Sequence, residues 1–155
     1  MPDPLWLHRP LLNWRDIYAW GVEEGVRKMV PPEQLHVTLA TVRQSLEWTE
    51  DELELESDEL IVPAGPKPVQ IFGYTLKALA FSDRRLDHRH EALLARFPEM
   101  DHPVLRPHVT LFRGGKMPKG IYHGELVFGP EIASTFDETT AARIKHVRIE
   151  GYNLE

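Results

Sequence analysis

The amino-acid sequence predicts one α+β domain made of two similar strand–helix–strand halves. The tetrapeptide HVTL occurs twice, at 36–39 and at 108–111. Each copy follows a candidate helix, and that helix follows a candidate strand: Leu5 in the first strand lies 31 residues before His36, and Leu76 in the second lies 32 residues before His108. A chain of 155 residues is long enough for one hydrophobic core and too short for two. We therefore expect residues 1–155 to form a single domain with an internal repeat.

The first half contains a strand, a helix and the first HVTL strand. The stretch Leu5–Arg9 is typical of a strand, and Asn13 is a suitable helix N-cap with Asp16 in the first turn. Behind it, apolar residues recur at near-helical spacing as far as the sequence VPPEQ, at Ile17, Trp20, Val22, Val26 and Met29. This pattern predicts one helix that ends at the prolines, followed by the strand LHVTLATV.

The second half repeats this order. YTLKALAFS at 74–82 is typical of a strand, and Ser82 or Asp83 is expected to cap the helix that follows. Its apolar positions are Leu86, Leu93, Leu94 and Phe97, and RPHVTLFR forms the next strand. Two more strands are expected at 122–129 and 144–152, with a short helical turn near 136–143.

The segment between the halves differs in composition. Acidic residues crowd 47–59, and three prolines flank a glycine between Pro63 and Pro68. We expect a turn at Pro-Ala-Gly-Pro and an alternating strand pair around it. The acidic run is interpreted as a solvated face or loop.

Composition limits the possible functions. The net charge of −6 argues against binding long nucleic acid, which needs a basic surface, but permits a small anionic ligand in a local pocket. The absence of cysteine excludes disulfides, thiolate metal sites and a thiol nucleophile. Because the N-terminus resembles no secretion signal and no apolar run approaches membrane-spanning length, we expect a soluble cytoplasmic protein that does not bind membranes.

The two HVTL copies predict a site with paired imidazoles and hydroxyls. Alternate residues of a strand share a face, so His36 lies beside Thr38, and His108 beside Thr110. An approximate two-fold would bring all four to one groove. One imidazole can then remove a proton from an attacking oxygen while the other protonates the leaving oxygen, and the hydroxyls can hold phosphate oxygens. One such motif alone is usually structural, and the repetition favours catalysis.

LHVTLA and PHVTLF resemble the two signature strands of the 2H phosphoesterase superfamily, the LigT-like proteins. The resemblance covers nearly the whole chain. It implies a bilobal fold with antiparallel sheets around a central cleft, and phosphodiester chemistry without a metal or other cofactor. It also implies that His36 and His108 form the acid–base pair, and that Thr38 and Thr110 hold the phosphate.

A narrower resemblance concerns the substrate. Bacterial RNA-ligase and cyclic-phosphodiesterase members follow the first motif with Phe-Leu-Gly, where this chain has Ala40, Thr41 and Val42. The framework is similar to the phage anti-CBASS phosphodiesterases, in LWLHRPLLN, IYAWGVEEG, PPEQLHVTLATVRQSLEW, DHRHEALL, RPHVTL and YHGELVFGPE. This implies hydrolysis of 3′–5′ linkages in cyclic di- or trinucleotide signals through the ribose 2′-hydroxyl, in the host cytoplasm if a phage encodes the chain. An RNA-end enzyme acting on 2′,3′-cyclic phosphates or 2′–5′ linkages, and a nucleotide-sequestering protein, remain alternatives.

Aromatic residues near the cleft are candidates for stacking on nucleobases, which is worth about 1–3 kcal/mol per base. Trp6 matches an aromatic residue that the phage family has in its first strand. That family also has a tryptophan after FGPE, where this chain offers Thr139 and Thr140. The second stacking partner is therefore expected elsewhere or is missing.

The other substrate-binding candidates are Phe112, Tyr122 and Arg106. Phe112 is four residues after His108 and Arg106 two residues before it, so both are expected on the face of that histidine. The alternatives are core packing for the aromatic rings and a surface ion pair for Arg106. Trp48 ranks lower.

We assign no function to two further sequence patterns, the loop around Lys116 and the pair of histidines at 88 and 90. Lys116 lies in a glycine-flanked loop that lacks the spacing of a phosphate-binding P-loop. His88 and His90 are two apart on a predicted helix and so face different directions, which suits metal chelation poorly. We expect no metal site.

Overall fold

The structure is a computed structural model that describes residues 3–135 and 144–154. The helices in these ranges are α1 (Trp14–Glu23), α2 (Glu50–Leu53) and α3 (Arg84–Arg96), with short 3₁₀ turns at Pro32–Gln34 and Ile149–Gly151. The strands are β1 (Asp3–Pro10), β2 (Lys28–Met29), β3 (His36–Leu46), β4 (Leu60–Val62), β5 (Val69–Phe72), β6 (Leu76–Ala80), β7 (His108–Arg113), β8 (Leu126–Phe128), β9 (Ile132–Thr135) and β10 (Val147–Arg148). No helix in the described ranges is both long and apolar enough to cross a bilayer.

Two three-stranded antiparallel sheets form the halves of the molecule. Their strand orders are β3-β1-β9 and β5-β6-β7, so each HVTL strand lies at one side of its sheet and pairs with the strand that precedes its helix. The registers match, because His36 pairs with Pro10 and His108 with Ala80. The α+β fold with two similar halves is therefore confirmed.

Smaller strand pairs complete the fold. β8 pairs with β4, and β10 pairs with β2, so the two C-terminal strands expected from the sequence are present but shorter. β9, which pairs with β1, was not predicted. The helical turn expected at 136–143 lies outside the described residues.

The first helix ends earlier than its apolar pattern indicated. α1 stops at Glu23, and Gly25 adopts a left-handed conformation (φ +80°) that only glycine takes without strain. Met29 therefore reaches the core from β2, where its side chain packs against Gly21. Asn13 precedes the helix without capping it, since its Oδ1 accepts a hydrogen bond from the backbone N–H of Val127.

The second helix follows the prediction closely. Asp83, one of the two expected caps, accepts hydrogen bonds from the backbone N–H groups of Arg85 and Leu86. One turn later His90 is buried, and its Nδ1 lies 2.9 Å from the carbonyl oxygen of Leu39 on β3. A carbonyl oxygen only accepts hydrogen bonds, so Nδ1 of His90 carries the proton and donates it. This hydrogen bond attaches α3 to the first HVTL strand.

The acidic segment is partly structural. Arg9 is 2% exposed and donates to the carbonyl oxygens of Asp58 and Gly129 and, at 2.7 Å, to the carboxylate of Glu56. A buried guanidinium needs such partners to offset its desolvation. The acidic run, which was expected to be a solvated face or loop, therefore supplies hydrogen-bond partners that attach β1 to the segment before β4.

Candidate active site

Both HVTL strands place histidine and threonine on one face. In β3, His36 and Thr38 are partly exposed, while the alternate residues Val37 and Leu39 are buried. β7 repeats the pattern: His108 and Thr110 are partly exposed, and Val109 and Leu111 are buried. β3 and β7 are in contact, and the charge of His108 acts on His36. The two motifs thus face a common cleft.

The same hydrogen bond orients each imidazole. Nδ1 of His36 lies 2.6 Å from the carbonyl oxygen of Gln34, and Nδ1 of His108 lies 2.8 Å from that of Arg106. A carbonyl oxygen only accepts, so Nδ1 carries the proton in both rings. Nε2 of each ring is then the nitrogen left to exchange a proton with a ligand.

Burial lowers the pKa of both histidines. For His36 the hydrogen bond to Gln34 opposes this effect, and the charge of His108 adds to it. For His108 the hydrogen bond to Arg106 opposes it, while the charges of Arg106 and His102 add to it. Two imidazoles that repel each other's protons titrate as a pair, so a singly protonated state is populated between the two macroscopic pKa values. That state has one acid and one base.

Trp6 orients the first threonine. Its indole Nε1 donates a hydrogen bond to Oγ1 of Thr38 at 3.1 Å, so the hydroxyl proton of Thr38 is left for another acceptor. The ring of Trp6 also meets His36 edge-on, with centroids 5.1 Å apart. The predicted ligand residue Trp6 therefore lies within the histidine–threonine cluster.

A third histidine lies beside this cluster. His8, two residues after Trp6, stacks on the indole with centroids 3.7 Å apart and an interplanar angle of 15°. Burial, followed by the charge of His36, lowers the pKa of His8 to about 4, so the ring is neutral at neutral pH. Sequence reasoning missed His8, although its spacing of two from Trp6 places both on the same strand face.

Phe72 supports the second histidine and was also missed. Its ring stacks on His108 with centroids 4.0 Å apart, and the guanidinium of Arg106 lies 4.6 Å from the centroid of Phe72. Phe72 and Arg106 line a hollow of about 520 Å³ that also includes Gln70 and Ser82. Phe72 follows the proline-rich segment, far from either motif in sequence, and no local pattern linked it to His108.

Phe112 does not share the face of His108. A register shift between Lys77 and Ala78 of β6 places Lys77 opposite Phe112 and Ala78 opposite Thr110. This one-residue irregularity turns Phe112 inward, where it is 6% exposed in the core. The prediction that Phe112 shares the face of His108 is therefore wrong, and Phe112 takes the core-packing alternative.

Tyr122 likewise belongs to the core. It is 6% exposed, meets Trp20 edge-on and donates its hydroxyl proton to the carbonyl oxygen of Glu125. Burial raises the pKa of Tyr122 to about 12. With its ring covered and its hydroxyl satisfied, Tyr122 has no surface on which a ligand could stack, and this prediction too is corrected.

The remaining residues considered from the sequence lie outside the histidine–threonine cluster or outside the described residues. Trp48 packs partly buried against the core, and Lys116 is exposed in the loop after β7. Thr139 and Thr140 lie outside the described residues. Within 3–135 and 144–154, no group of three or more His, Asp or Glu side chains is arranged to hold a metal ion.

Solved structures share this fold. Escherichia coli LigT complexed with 3′-AMP superposes with a TM-score of 0.63 at 16% identity, covering 96% of this chain and 95% of that one. TT0787 of Thermus thermophilus gives 0.56 at 16% identity, covering 86% of this chain and 95% of that one. The fold is therefore the bilobal LigT-like 2H phosphoesterase fold expected from the sequence.

Sequence comparisons identify the family. The family model described as anti-CBASS protein Acb1 matches residues 3–143. A protein of that name from Caulobacter sp. (strain RHG1) is 32% identical over 153 residues, which cover 92% of this chain and 24% of the relative. Another from Sphingomonas paeninsulae is 27% identical, covering 84% of this chain and 23% of the relative. The chain spans about a quarter of the length of these relatives, and it belongs to the anti-CBASS protein Acb1 family.

Proposed function

We propose that the chain is a phosphodiesterase that hydrolyses 3′–5′ linkages in cyclic di- and trinucleotide signals. The observation that carries this proposal is the pair of imidazoles in one cleft, each with Nδ1 bound to a backbone carbonyl and Nε2 left for a ligand. Membership of a family named for opposing CBASS supports it. The cyclic substrate, its small size and the absence of a metal requirement are parts of the proposal.

The chemistry needs one protonated and one neutral imidazole. Nε2 of the neutral ring removes the proton of the ribose 2′-hydroxyl, whose oxygen attacks the adjacent phosphorus. Nε2–H of the other ring protonates the departing 5′-oxygen, which opens the macrocycle and leaves a 2′,3′-cyclic phosphate. Water then opens that cyclic phosphate with the two roles exchanged, and the pair returns to its starting state.

The threonines hold the phosphate during these steps. The indole of Trp6 occupies an acceptor position on Thr38 Oγ1, so the hydroxyl proton can donate to a non-bridging phosphate oxygen. Thr110 occupies the equivalent position in the second half, and its hydroxyl has no hydrogen-bond partner among the described residues. Two donors on opposite sides of the cleft fix the phosphorus between the imidazoles.

Arg106 and Trp6 complete the ligand contacts that we propose. Arg106 lines the hollow beside His108, where its guanidinium can pair with a second phosphate of a cyclic oligonucleotide. Trp6 is partly exposed, so its free face can stack on a base. Both residues touch the histidine–threonine cluster directly.

The test is turnover of a panel of cyclic di- and trinucleotides, followed by mass spectrometry of the products in the presence of chelator. His36→Ala and His108→Ala should each lower kcat/KM by about 10²- to 10⁴-fold, the usual contribution of a general acid or base. His88→Ala, which removes an exposed imidazole from α3, is the matched control and should keep full activity. Near-normal turnover by either cleft variant would refute the assignment.

Two further measurements distinguish this function from the two alternatives. An RNA ending in a 2′,3′-cyclic phosphate is offered beside the cyclic oligonucleotides, and faster opening of that RNA would favour an RNA-end-processing enzyme. Tight binding of a cyclic oligonucleotide with no product over hours would instead favour sequestration. We expect the cyclic oligonucleotide to be opened fastest.

A further inference from the structure

We propose that the chain has a second ligand site, for a nucleoside phosphate, at the far end of β7. A hollow of about 730 Å³ lies there, lined by 23–28, 112–113, 115–119 and His146, and we call it the cationic hollow. Neither catalytic histidine lines it. His108 begins β7 and Arg113 ends it, a separation of about 16 Å at the usual rise of a strand. A phosphate in the cationic hollow is therefore beyond the reach of the imidazole pair.

The charge of the hollow is unusual for this chain. Although the whole chain has a net charge of −6, the hollow brings together five cationic residues, Arg27, Lys28, Arg113, Lys116 and Lys119. All five are exposed, and none forms an ion pair with any residue in the described ranges. Of its two carboxylates, that of Glu24 is engaged by the backbone N–H of Gly120. The hollow thus has an excess of positive charge with no internal partner.

His146 shows that these charges converge. Its Nε2 accepts a hydrogen bond from the backbone N–H of Arg113 at 3.1 Å, so the neutral ring carries its proton on Nδ1. Burial, and then the charges of Lys28 and Arg113, lower the pKa of His146. Lys28 and Arg113 lie on different strands, yet both act on this ring. An anion bound among them would oppose their effect and raise the pKa of His146.

A turn after β7 and a contact with the end of α1 enclose the cationic hollow. Gly114 and Gly115 both have positive φ, 72° and 69°, which lets the chain reverse immediately after β7. The loop then returns to the end of α1, where Glu24 binds the backbone of Gly120. The hollow is therefore formed between two secured segments and is more than a cluster of surface lysines.

The walls indicate more than a bare anion site. Val26 and Met117 supply accessible apolar surface beside the cations. A base or sugar can pack on such surface while phosphates pair with guanidinium and ammonium groups. This combination favours a nucleoside phosphate over inorganic phosphate. The site has no imidazole pair and would hold its ligand without cleaving it.

ATP is the probe for the test, since it joins a base to a highly charged phosphate chain. Arg27→Gln/Arg113→Gln should weaken ATP binding, measured by calorimetry, at least about tenfold, because two charge-assisted hydrogen bonds are lost. The control Arg84→Gln/Arg96→Gln makes the same chemical changes at exposed positions of α3 and should alter binding less than twofold. In NMR titrations, ATP at a concentration that just saturates the wild-type protein should raise the pKa of His146 there, and the same concentration should raise it much less in Arg27→Gln/Arg113→Gln.

Three results would overturn the proposal. ATP that shifts the ring signals of His36 and His108 but not His146 binds only in the catalytic cleft. Equal ATP affinity of the two double variants would exclude the cationic hollow. Inorganic tripolyphosphate that binds as tightly as ATP would remove the nucleoside from the assignment. None of these readouts depends on turnover, so the proposal stands or falls separately from the proposed phosphodiesterase activity.

Discussion

Replacing Trp6 by Phe tests whether the indole orients Thr38. Phenylalanine keeps an aromatic ring over His8 but removes the Nε1–H that donates to Thr38 Oγ1 at 3.1 Å. A neutral hydrogen bond contributes about 0.5–1.5 kcal/mol, and 1.4 kcal/mol corresponds to tenfold in rate. Freed from the indole, the Thr38 hydroxyl samples rotamers in which its proton does not face the phosphate. We expect kcat/KM to fall about three- to tenfold, far less than the loss expected on replacing His36 or His108 by alanine.

The assay is a double-mutant cycle with Thr38→Val, using opening of a cyclic oligonucleotide as the readout. Thr38→Val removes the hydroxyl that both the indole and the phosphate use. If Trp6 acts through that hydroxyl, Trp6→Phe should change kcat/KM little in the Thr38→Val background. An equal loss in both backgrounds would refute the reasoning and assign the effect of Trp6 to base stacking or ring size. Thermal unfolding of each variant verifies that all four proteins are folded at the assay temperature.

Three further predictions follow from the titrating and buried groups. The kcat/KM optimum should lie below pH 6.5, because the pKa values of both His36 and His108 are lowered, and Arg106→Gln should move the limb of the pH profile that reports His108 to higher pH by removing a cation beside that ring. His8 has a lowered pKa of about 4 in the folded state, so its neutral form favours folding above pH 6.5 and that contribution is lost as the pH falls towards 4. In chemical denaturation, His8→Gln should therefore lose less stability than wild type across that range, and an equal loss would contradict it. Tyr122→Phe should lower Tm by a few degrees, for a loss of about 1 kcal/mol, without changing kcat/KM, since the Tyr122 hydroxyl donates a hydrogen bond to the backbone carbonyl of Glu125 and its ring is buried in the core.

The repeated architecture was predictable because its determinants are local. HVTL alternates accessible and buried positions in both strands, as a half-buried strand must, and Asp83 caps α3 through contacts within three residues of itself. The end of α1 was not predictable from apolar spacing alone. Met29 continues the helical pattern and is fully buried, yet it reaches the core from a strand after the chain turns at Gly25. The spacing of apolar residues indicates which residues are buried but not the element that buries them. After a tight turn, a strand can bury a residue that continues the helical pattern.

The shared face of His36 and Thr38, and that of His108 and Thr110, were likewise predictable, while the neighbours of these residues depend on tertiary register. Phe72 meets His108 only because β5 pairs with β6, which in turn pairs with β7. Phe112 does not share the face of His108 because the pairing of β7 with β6 shifts by one residue between Lys77 and Ala78. Counting along an ideal strand assigns faces correctly until one residue is added to one side of a pair, and a bulge leaves no reliable trace in one sequence.

The two halves agree in geometry and differ in surroundings, and both properties serve the proposed chemistry. Equivalent pairing to β1 and β6 gives each imidazole the same backbone hydrogen bond and the same threonine neighbour. The residue paired with Thr38 is His8, whereas the residue paired with Thr110 is Ala78. A perfect two-fold would give the two histidines identical affinities for a proton, although catalysis requires opposite protonation states. The repeat thus places the pair, and the divergence of the neighbouring residues makes the two rings unequal.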